Sequence, residues 1–244
     1  MHFSMERWHS AAEARFSARK YREGPNQDEL AALEAAADMM HTKGVRIALG
    51  HSEGVFKPMF LWYGKITGTA CFAAIIASDT ADQHSIGYLG EAFILEVTAL
   101  GLGTCWVGGT YSKAEAARQI ALEDGERIVA VTPLGVRAES YVGRPRKSLS
   151  DLTGLTQQQL LDLPEWQQSA LSSARIAPSA VNRQPWRFVV GENSITIRQS
   201  ERNFGYAGVD IGIAMLHVEL GAAHCSVSGE WRDEGESVTF VKNE

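Results

Sequence analysis

Apolar residues recur along the chain at the two spacings that distinguish helices from strands. Residues 28–40 place Leu30, Leu33 and Ala37 on one stripe and are rich in alanine, which predicts an amphipathic helix. Residues 86–100 are apolar on most sides, which predicts a helix at the centre of the fold. The chain therefore alternates helical periods with shorter apolar runs.

The shorter apolar runs predict strands, and polar capping residues predict where helices begin. Capping boxes at Ser112–Glu115 and Thr156–Gln159 each predict a helix start, the second helix being interrupted before Pro164 and continuing to about residue 175. The polar, turn-rich stretch 139–153 predicts a linker. The remaining predictions are strands at 46–50, 70–78, 127–136 and 237–241, a hairpin of 186–191 with 194–199, and a helix at 210–225.

A faint internal repeat runs through this order of elements. Residues 33–50 share with 171–191 a helix end, a loop and a strand closed by glycine. Residues 88–96 match 210–218 at an offset of 122 residues, about half the chain. This pattern predicts two related halves, 1–150 and 151–244, folded as one unit. The alternative is that any two mixed helix and strand halves share such a layout.

Composition narrows the class of protein. The 244 residues are 45% hydrophobic and 21% charged, as in ordinary globular proteins, and 29 acidic against 23 basic residues leave no basic field for nucleic acid. No stretch reaches about 18 apolar residues, so we expect no membrane partner, and residues 1–21 lack the apolar core of a signal peptide. The three cysteines show no C-x-x-C spacing, so no disulfide scaffold or zinc ribbon is expected and a cytoplasmic location is predicted.

The histidines give no metal-binding pattern along the chain. His217 and His224 are seven residues apart on an apolar helix, with no carboxylate-rich partner motif beside them. Core or surface positions are therefore predicted for them, and no metal is expected.

Two basic motifs carry the guanidinium groups that match phosphate oxygens. Arg15, Ser17 and Arg19 lie either on one helix face or together on an extended turn, and could clamp a phosphate. Arg144 and Arg146 form a second basic element with Lys147. The alternatives are a solvated basic face for the first motif and an exposed basic turn for the second.

The segment 177–186 (APSAVNRQPW) predicts an ordered loop, because its two prolines fix φ and remove amide donors. Asn182 and Gln184 carry amides that donate and accept, which suits the edge of a planar heterocycle. The alternative is a structural loop with Trp186 in the core.

The glycine-rich segment 101–109 is neither a dinucleotide fingerprint nor a nucleophile elbow. Trp106 and Val107 stand where those motifs need glycine, and Cys105 is expected to be a small buried residue. Gly108 and Gly109 would allow a ligand to approach the backbone closely.

Together these segments resemble the nitroreductase family of FMN-dependent oxidoreductases. The resemblance rests on Arg15, Ser17 and Arg19, on the Gly-Leu-Gly-Thr-x-Trp turn at 101–106, on the basic element 144–147 and on the loop 177–186. It implies an α+β, nitroreductase-like fold. The loop normally precedes the glycine turn, but here the corresponding slot, 38–45, is degenerate and the intact loop follows the second basic element.

This order resembles a fused, two-repeat form of the family, in which two α+β halves make an intrachain pseudo-dimer. The losses in the two halves are complementary, which implies one flavin site per chain, built from both halves. It also implies a monomer with at most weak self-association.

The resemblance implies that hydride passes from NAD(P)H, a transient co-substrate, through FMN to an electron-poor small molecule such as a nitroaromatic or a quinone. This ping-pong scheme needs no protein nucleophile, since the flavin carries the chemistry, and it assigns no catalytic side chain in this sequence. The alternatives are a non-catalytic flavin-binding or regulatory protein, or a specialised flavin dehydrogenase or dehalogenase. The expected FMN-binding residues are Arg15, Ser17, Arg19, Arg144 and Arg146 at the phosphate, Gly108 and Gly109 near the reactive flavin nitrogen, and Pro178, Ser179, Asn182 and Gln184 at the ring and ribityl chain.

Overall fold

The structure is a computed structural model that describes residues 4–57, 65–235 and 237–243. Its contacts define a first unit, Ala14–Gly143, and a second unit, Met1–Glu13 with Arg144–Glu244. The helices are α1 (Met5–Ala14), α2 (Gln27–Met39), α3 (Gln83–Ala99), α4 (Lys113–Gln119), α5 (Leu149–Thr153), α6 (Gln157–Leu161), α7 (Glu165–Ile176) and α8 (Ala207–His224). The strands are β1 (Tyr21–Glu23), β2 (Val45–His51), β3 (Cys71–Ser78), β4 (Glu126–Pro133), β5 (Val136–Arg137), β6 (Trp186–Val190), β7 (Ser194–Gln199), β8 (Gly229–Asp233) and β9 (Ser237–Lys242).

The first unit is built on an antiparallel sheet with strand order β2-β3-β4. On the central strand, Ile75 lies opposite Ile47 of β2 and Ala130 of β4. Every residue of β3 except Ser78 is buried. The strand is apolar throughout because neither of its faces meets solvent.

Helix α3 is the buried helix of this unit, as its sequence predicted. Asp82 caps its first turn by accepting a hydrogen bond from the Ser85 N–H. Its middle turns are fully buried, including Phe93 and two carboxylates, Glu91 and Glu96. A buried carboxylate needs a polar partner, so the residues around Glu91 and Glu96 are candidates for a functional site.

The second unit pairs helices α7 and α8 beside an antiparallel sheet of order β6-β7-β9-β8. A Cβ added at Gly221 of α8 would lie 2.5 Å from the Ser169 carbonyl oxygen and 2.6 Å from the Ala170 Cα. Glycine is therefore required there for the two helix backbones to approach so closely.

The two units share an order of elements. Leaving aside α4 and β8, the series α2, β2, β3, α3, β4 corresponds to α7, β6, β7, α8, β9. In each series the second strand lies at the centre and pairs antiparallel with the other two. This common topology agrees with the proposed internal repeat, while duplication, with its boundary at residue 150, stays a prediction.

Most predicted elements are found within a few residues of their expected ends. The interruption before Pro164 is confirmed, because α6 ends at Leu161 and α7 begins at Glu165. The linker prediction is wrong for its last residues, which form α5 behind a capping box of Ser148 and Asp151. Helix α1, strand β1 and strand β8 were not predicted.

One of the two predicted capping boxes is complete. Thr156 and Gln159 cap each other reciprocally at the start of α6. At α4 only half of the box forms, because the Glu115 carboxylate accepts from the Ser52 hydroxyl at 2.9 Å instead of returning to the Ser112 backbone. Among the described residues, no helix is both long and apolar enough to cross a bilayer.

Candidate functional site

The Arg15–Arg19 segment is extended and is held by the glycine turn. Ser17 forms a parallel bridge with Thr104, and the Ala18 N–H donates to the Thr104 carbonyl at 2.9 Å. Of the two conformations left open by the sequence, the extended one is therefore present. The Ala18 N–H also donates to the Phe16 carbonyl at 3.0 Å, so the extended segment contains a tight turn at Ser17.

Arg15 is a buried cation with unused hydrogen-bond donors. The residue is only 7% exposed, and its Nε lies 3.7 Å from the Glu91 Oε1 of α3. The Trp106 indole N–H donates to the other Glu91 oxygen at 2.7 Å. Among the described residues, the buried Nε and Nη1 of Arg15 find no hydrogen-bond acceptor. Two such donors on a buried guanidinium fit an anionic ligand that brings its own oxygens.

Arg19 sits at the other end of the segment, with its main chain fixed by a carboxylate. Glu139 accepts from the backbone N–H of Arg19 at 3.0 Å and of Lys20 at 3.3 Å. The Arg19 Nη1 donates to the Ser17 carbonyl at 3.5 Å, while its buried Nε has no acceptor among the described residues. The half-buried guanidinium is therefore turned back along the motif.

The glycine turn is bonded to strand β4 and to its neighbours. A Cβ at Gly103 would lie 2.6 Å from the Arg137 Cγ, so only glycine fits. The Cys105 N–H donates to the Thr132 hydroxyl, and Cys105 is buried as predicted. Val107 exchanges backbone hydrogen bonds with Val131 of β4, and this pairing with the sheet ends there.

Gly108 and Gly109 follow at that departure from the sheet. Gly108 is half-buried and Gly109 is exposed, with no atom within 4 Å of the place where a Gly109 Cβ would be. The backbone at Gly109 is therefore open to approach, as the sequence prediction requires.

The loop 177–186 has an unusual backbone. Val181, Asn182 and Gln184 all have positive φ, at 50°, 57° and 52°. Ser179 supports this turn, because its carbonyl accepts from the Asn182 N–H at 2.9 Å and its hydroxyl from the Gln184 N–H at 2.8 Å. Left-handed conformations at non-glycine residues are costly and concentrate at functional sites.

The basic element 144–147 is bonded to this loop. The Arg146 Nη1 donates to the Asn182 side-chain oxygen, and the Arg146 Nη2 donates to the Ile176 carbonyl at 2.9 Å. The Asn182 amide in turn donates to the Pro145 carbonyl at 2.8 Å. Two predicted site residues, one from each motif, thus partner each other.

Gln184 is engaged in the same way. Its side-chain oxygen accepts from the Lys147 N–H at 2.8 Å, and its amide donates to the Asn182 carbonyl at 3.1 Å. Lys147, which was not among the expected ligands, also donates from Nζ to the Gln184 carbonyl at 3.1 Å. The structure therefore brings Arg146, Asn182 and Gln184 together, while the Arg144 side chain is exposed. Pro178 and Trp186, near the two ends of the loop, are buried.

Asp210 of α8 holds the loop 177–186 through hydrogen bonds. Its carboxylate accepts from the Ala180 N–H at 2.9 Å and from the Asn203 amide at 2.6 Å, and that amide also donates to the Ala180 carbonyl. Burial raises the pKa of Asp210 to about 7, although the two N–H donors oppose the shift. Sequence reasoning missed both Asp210 and Glu91. The available signal was a carboxylate inside an otherwise apolar helix.

The fold and the two motif regions define the class of protein. The structure matches that of a "putative nitroreductase" from Thermotoga maritima with a TM-score of 0.70, at 19% identity, over 100% of this chain and 97% of that one. The α+β, nitroreductase-like fold predicted from the sequence is therefore confirmed. The chain belongs to the family described as "Putative TM nitroreductase", whose model matches residues 9–222.

Other solved structures match about half of the chain. A "putative nitroreductase in complex with FMN" from Exiguobacterium sibiricum has a TM-score of 0.47 at 14% identity, over 59% of this chain and 94% of that one. A "Putative NADH dehydrogenase/NAD(P)H nitroreductase" from Parabacteroides distasonis has a TM-score of 0.48 at 12% identity, over 59% and 94%. No curated protein sequence matches the chain.

Proposed function

We propose that this chain is an oxidoreductase that binds FMN, which when bound would carry hydride from NADH or NADPH to an electron-poor small molecule such as a nitroaromatic or a quinone. Family membership supports the oxidoreductase class. The observation that carries FMN binding is Arg15, a buried guanidinium in a phosphate-type motif with two N–H donors unused among the described residues.

Arg15 and Arg19 would hold the phosphate of FMN, with the Ser17 hydroxyl as a further donor. A buried guanidinium is expensive to desolvate, and the contact of Arg15 with Glu91 at 3.7 Å is long for a hydrogen bond. A phosphate dianion would satisfy the unused donors and add charge-assisted bonds. The glycine turn contributes by fixing the extended main chain that carries these side chains.

The basic element 144–147 would contribute mainly by holding the loop 177–186 in its conformation. Arg146 and Gln184 already bond within the second unit, so we assign them to positioning the loop, with the Arg146 charge adding to the attraction for an anion. Asn182, Ser179 and the backbone beside Pro178 remain the proposed contacts to the flavin ring and ribityl chain. Gly108 and Gly109 would offer backbone N–H groups, and exposed Arg144 a long-range charge.

The test of FMN binding is a titration of the apoprotein with FMN. We expect Arg15→Ala to weaken binding about 10- to 150-fold, because a charge-assisted contact is worth about 1.5–3 kcal/mol. Arg15→Lys should lose less, since the positive charge remains. Arg127→Ala, which removes an exposed arginine paired with Asp79, is the matched control and should bind as the unchanged protein does. Equal affinity in all four proteins would remove Arg15 from the site.

The test of activity is anaerobic addition of NADH or NADPH to the yellow holoprotein. An oxidoreductase loses its yellow absorbance within seconds and regains it on addition of a nitroaromatic or quinone. A protein that only holds flavin stays yellow with both nucleotides. That result would reject hydride transfer while leaving the binding residues in place.

A further inference from the structure

Outside the proposed flavin site, the fold of the second unit gathers two histidines and a glutamate. Glu6 and His9 are three residues apart on α1 and lie on one helix face, and His224 is the last residue of α8. The His224 Nδ1 lies 3.0 Å from a Glu6 carboxylate oxygen. The rings of His9 and His224 are stacked, with centroids 4.3 Å apart and planes inclined by 8°.

The three side chains present one potential metal-ligand atom each, and these atoms all lie within 4.8 Å of one another. Tetrahedral zinc with bonds of about 2.0–2.1 Å holds its ligand atoms roughly 3.4 Å apart. Glu6 and His224 are exposed and His9 is half-buried. Imidazole lone pairs lie in the ring plane, so at least one of the two stacked rings must rotate before both can face one ion. The exposed His224 has room for such a rotation, and an ion can reach the three side chains from solvent.

The donor set selects the kind of ion. Two imidazole nitrogens and one carboxylate oxygen suit zinc, copper, nickel or cobalt and do not suit magnesium or calcium, which prefer all-oxygen sites. With three protein ligands, a tetrahedral ion keeps a fourth position for water. This set of ligands is not apparent in the sequence, because His224 is 215 residues from His9 and 218 from Glu6.

We propose that Glu6, His9 and His224 form a binding site for a divalent transition-metal ion of the zinc type. The bound ion joins helix α1 to the C-terminal end of helix α8 within the second unit. Without the ion the same groups make only an exposed ion pair, which stabilises proteins little. With it, the ion stabilises the folded chain in proportion to its concentration.

The experiment uses the full chain without a histidine tag, stripped with a chelator and titrated with Co²⁺ followed by absorbance and with Zn²⁺ followed by calorimetry. We expect one ion per chain and a midpoint of thermal unfolding, Tm, several degrees higher with Zn²⁺. His9→Ala and His224→Ala should each weaken binding about 100-fold or more, because loss of even an outer-shell partner costs 10- to 100-fold. Glu6→Gln should weaken it less and keep the shape of the side chain.

The matched control is His51→Ala, which removes an exposed histidine from β2. It should bind both ions as the unchanged protein does. Circular dichroism in chelator establishes that each variant is folded, and Glu6→Gln serves if a histidine variant is not. The proposal is overturned if the unchanged protein binds no stoichiometric ion, or if binding survives in both histidine variants. FMN content does not enter this measurement, so it is independent of the proposed flavin function.

Discussion

Glu91 is the acidic neighbour of Arg15 inside the first unit, and both side chains are buried. Glu91→Gln keeps the shape and leaves the guanidinium without that charge, so we expect a loss of about 3–5 kcal/mol in the free energy of unfolding of the apoprotein. If the Arg15 donors bind phosphate, FMN should raise the Tm of this variant by more than that of the unchanged protein. Glu53→Gln, at an exposed position, is the control. Equal FMN-induced shifts of Tm in the variant and the unchanged protein would show that Glu91 does not affect phosphate binding.

Asp210 should make stability depend on pH. Burial raises its pKa in the folded protein to about 7, from 3.8 in a solvated carboxyl. Between these values the folded chain binds a proton that the unfolded chain has released, so the free energy of unfolding falls as pH rises, by up to about 1.4 kcal/mol per unit. Asp210→Asn abolishes this slope. The measurement is thermal unfolding of both proteins from pH 4 to 8. The free energy of unfolding of the unchanged protein minus that of the variant should fall until about pH 7 and then stay constant.

The exposed Asp124→Asn serves as the control for that series and should follow the unchanged protein at every pH. Parallel curves for Asp210→Asn and the unchanged protein would show that the carboxyl under the loop does not titrate in this range.

At the scale of an element, the loop 177–186 stores backbone strain that a single glycine can release. Val181 is β-branched, has a φ of 50° and is 59% exposed, so its side chain contributes little burial. We expect Val181→Gly to raise the free energy of unfolding by about 1 kcal/mol in urea titrations. Val189, a 45% exposed valine in strand β6, is the matched position, and Val189→Gly should lower it by a similar amount. Destabilisation by both changes would argue against strain at Val181.

Elements were predictable where their own sequence carries the pattern. Helix α2 and strand β3 have a clear apolar period. Helix α1 has the same spacing, since it buries Trp8, Ala11 and Ala12 as α2 buries Leu33, Ala36 and Ala37, so its sequence carried a helical signal that the prediction missed. Strand β8 lies at the edge of its sheet, and Trp231 is the one large apolar residue in its sequence GEWRD, so the sequence has too few apolar positions to show the alternation that identifies strands.

The candidate site divides in the same way. Its motif residues are recognisable because each motif is local. The partners that support them come from 76 residues away in the case of Glu91 with Arg15, and from 30 in the case of Asp210 with Ala180. A carboxylate inside an apolar helix marks Glu91 and Asp210 as unusual, but only folding determines which residue each of them contacts.

At the scale of the whole molecule, the distribution of motifs predicts how many flavins the chain binds. The Arg-x-Ser-x-Arg motif and the glycine turn occur only in the first half of the sequence, and the intact Pro-Ser-x-x-Asn-x-Gln-Pro-Trp loop occurs only in the second. A chain with a single copy of each motif is expected to bind a single FMN. The shared order α2-β2-β3-α3-β4 and α7-β6-β7-α8-β9 is what a fused pair of subunits would leave behind.

We therefore expect saturation at one FMN per chain, and light scattering of the holoprotein to give a mass near 26.6 kDa. Both quantities are needed, because a homodimer with one FMN per chain would have the same flavin content but twice the mass. Arg15→Ala should lower the affinity for FMN without changing the mass, since Arg15 is buried and is assigned to the proposed phosphate site. A stable dimer would contradict the pseudo-dimer interpretation, and two FMN per chain would contradict the complementary loss of motifs.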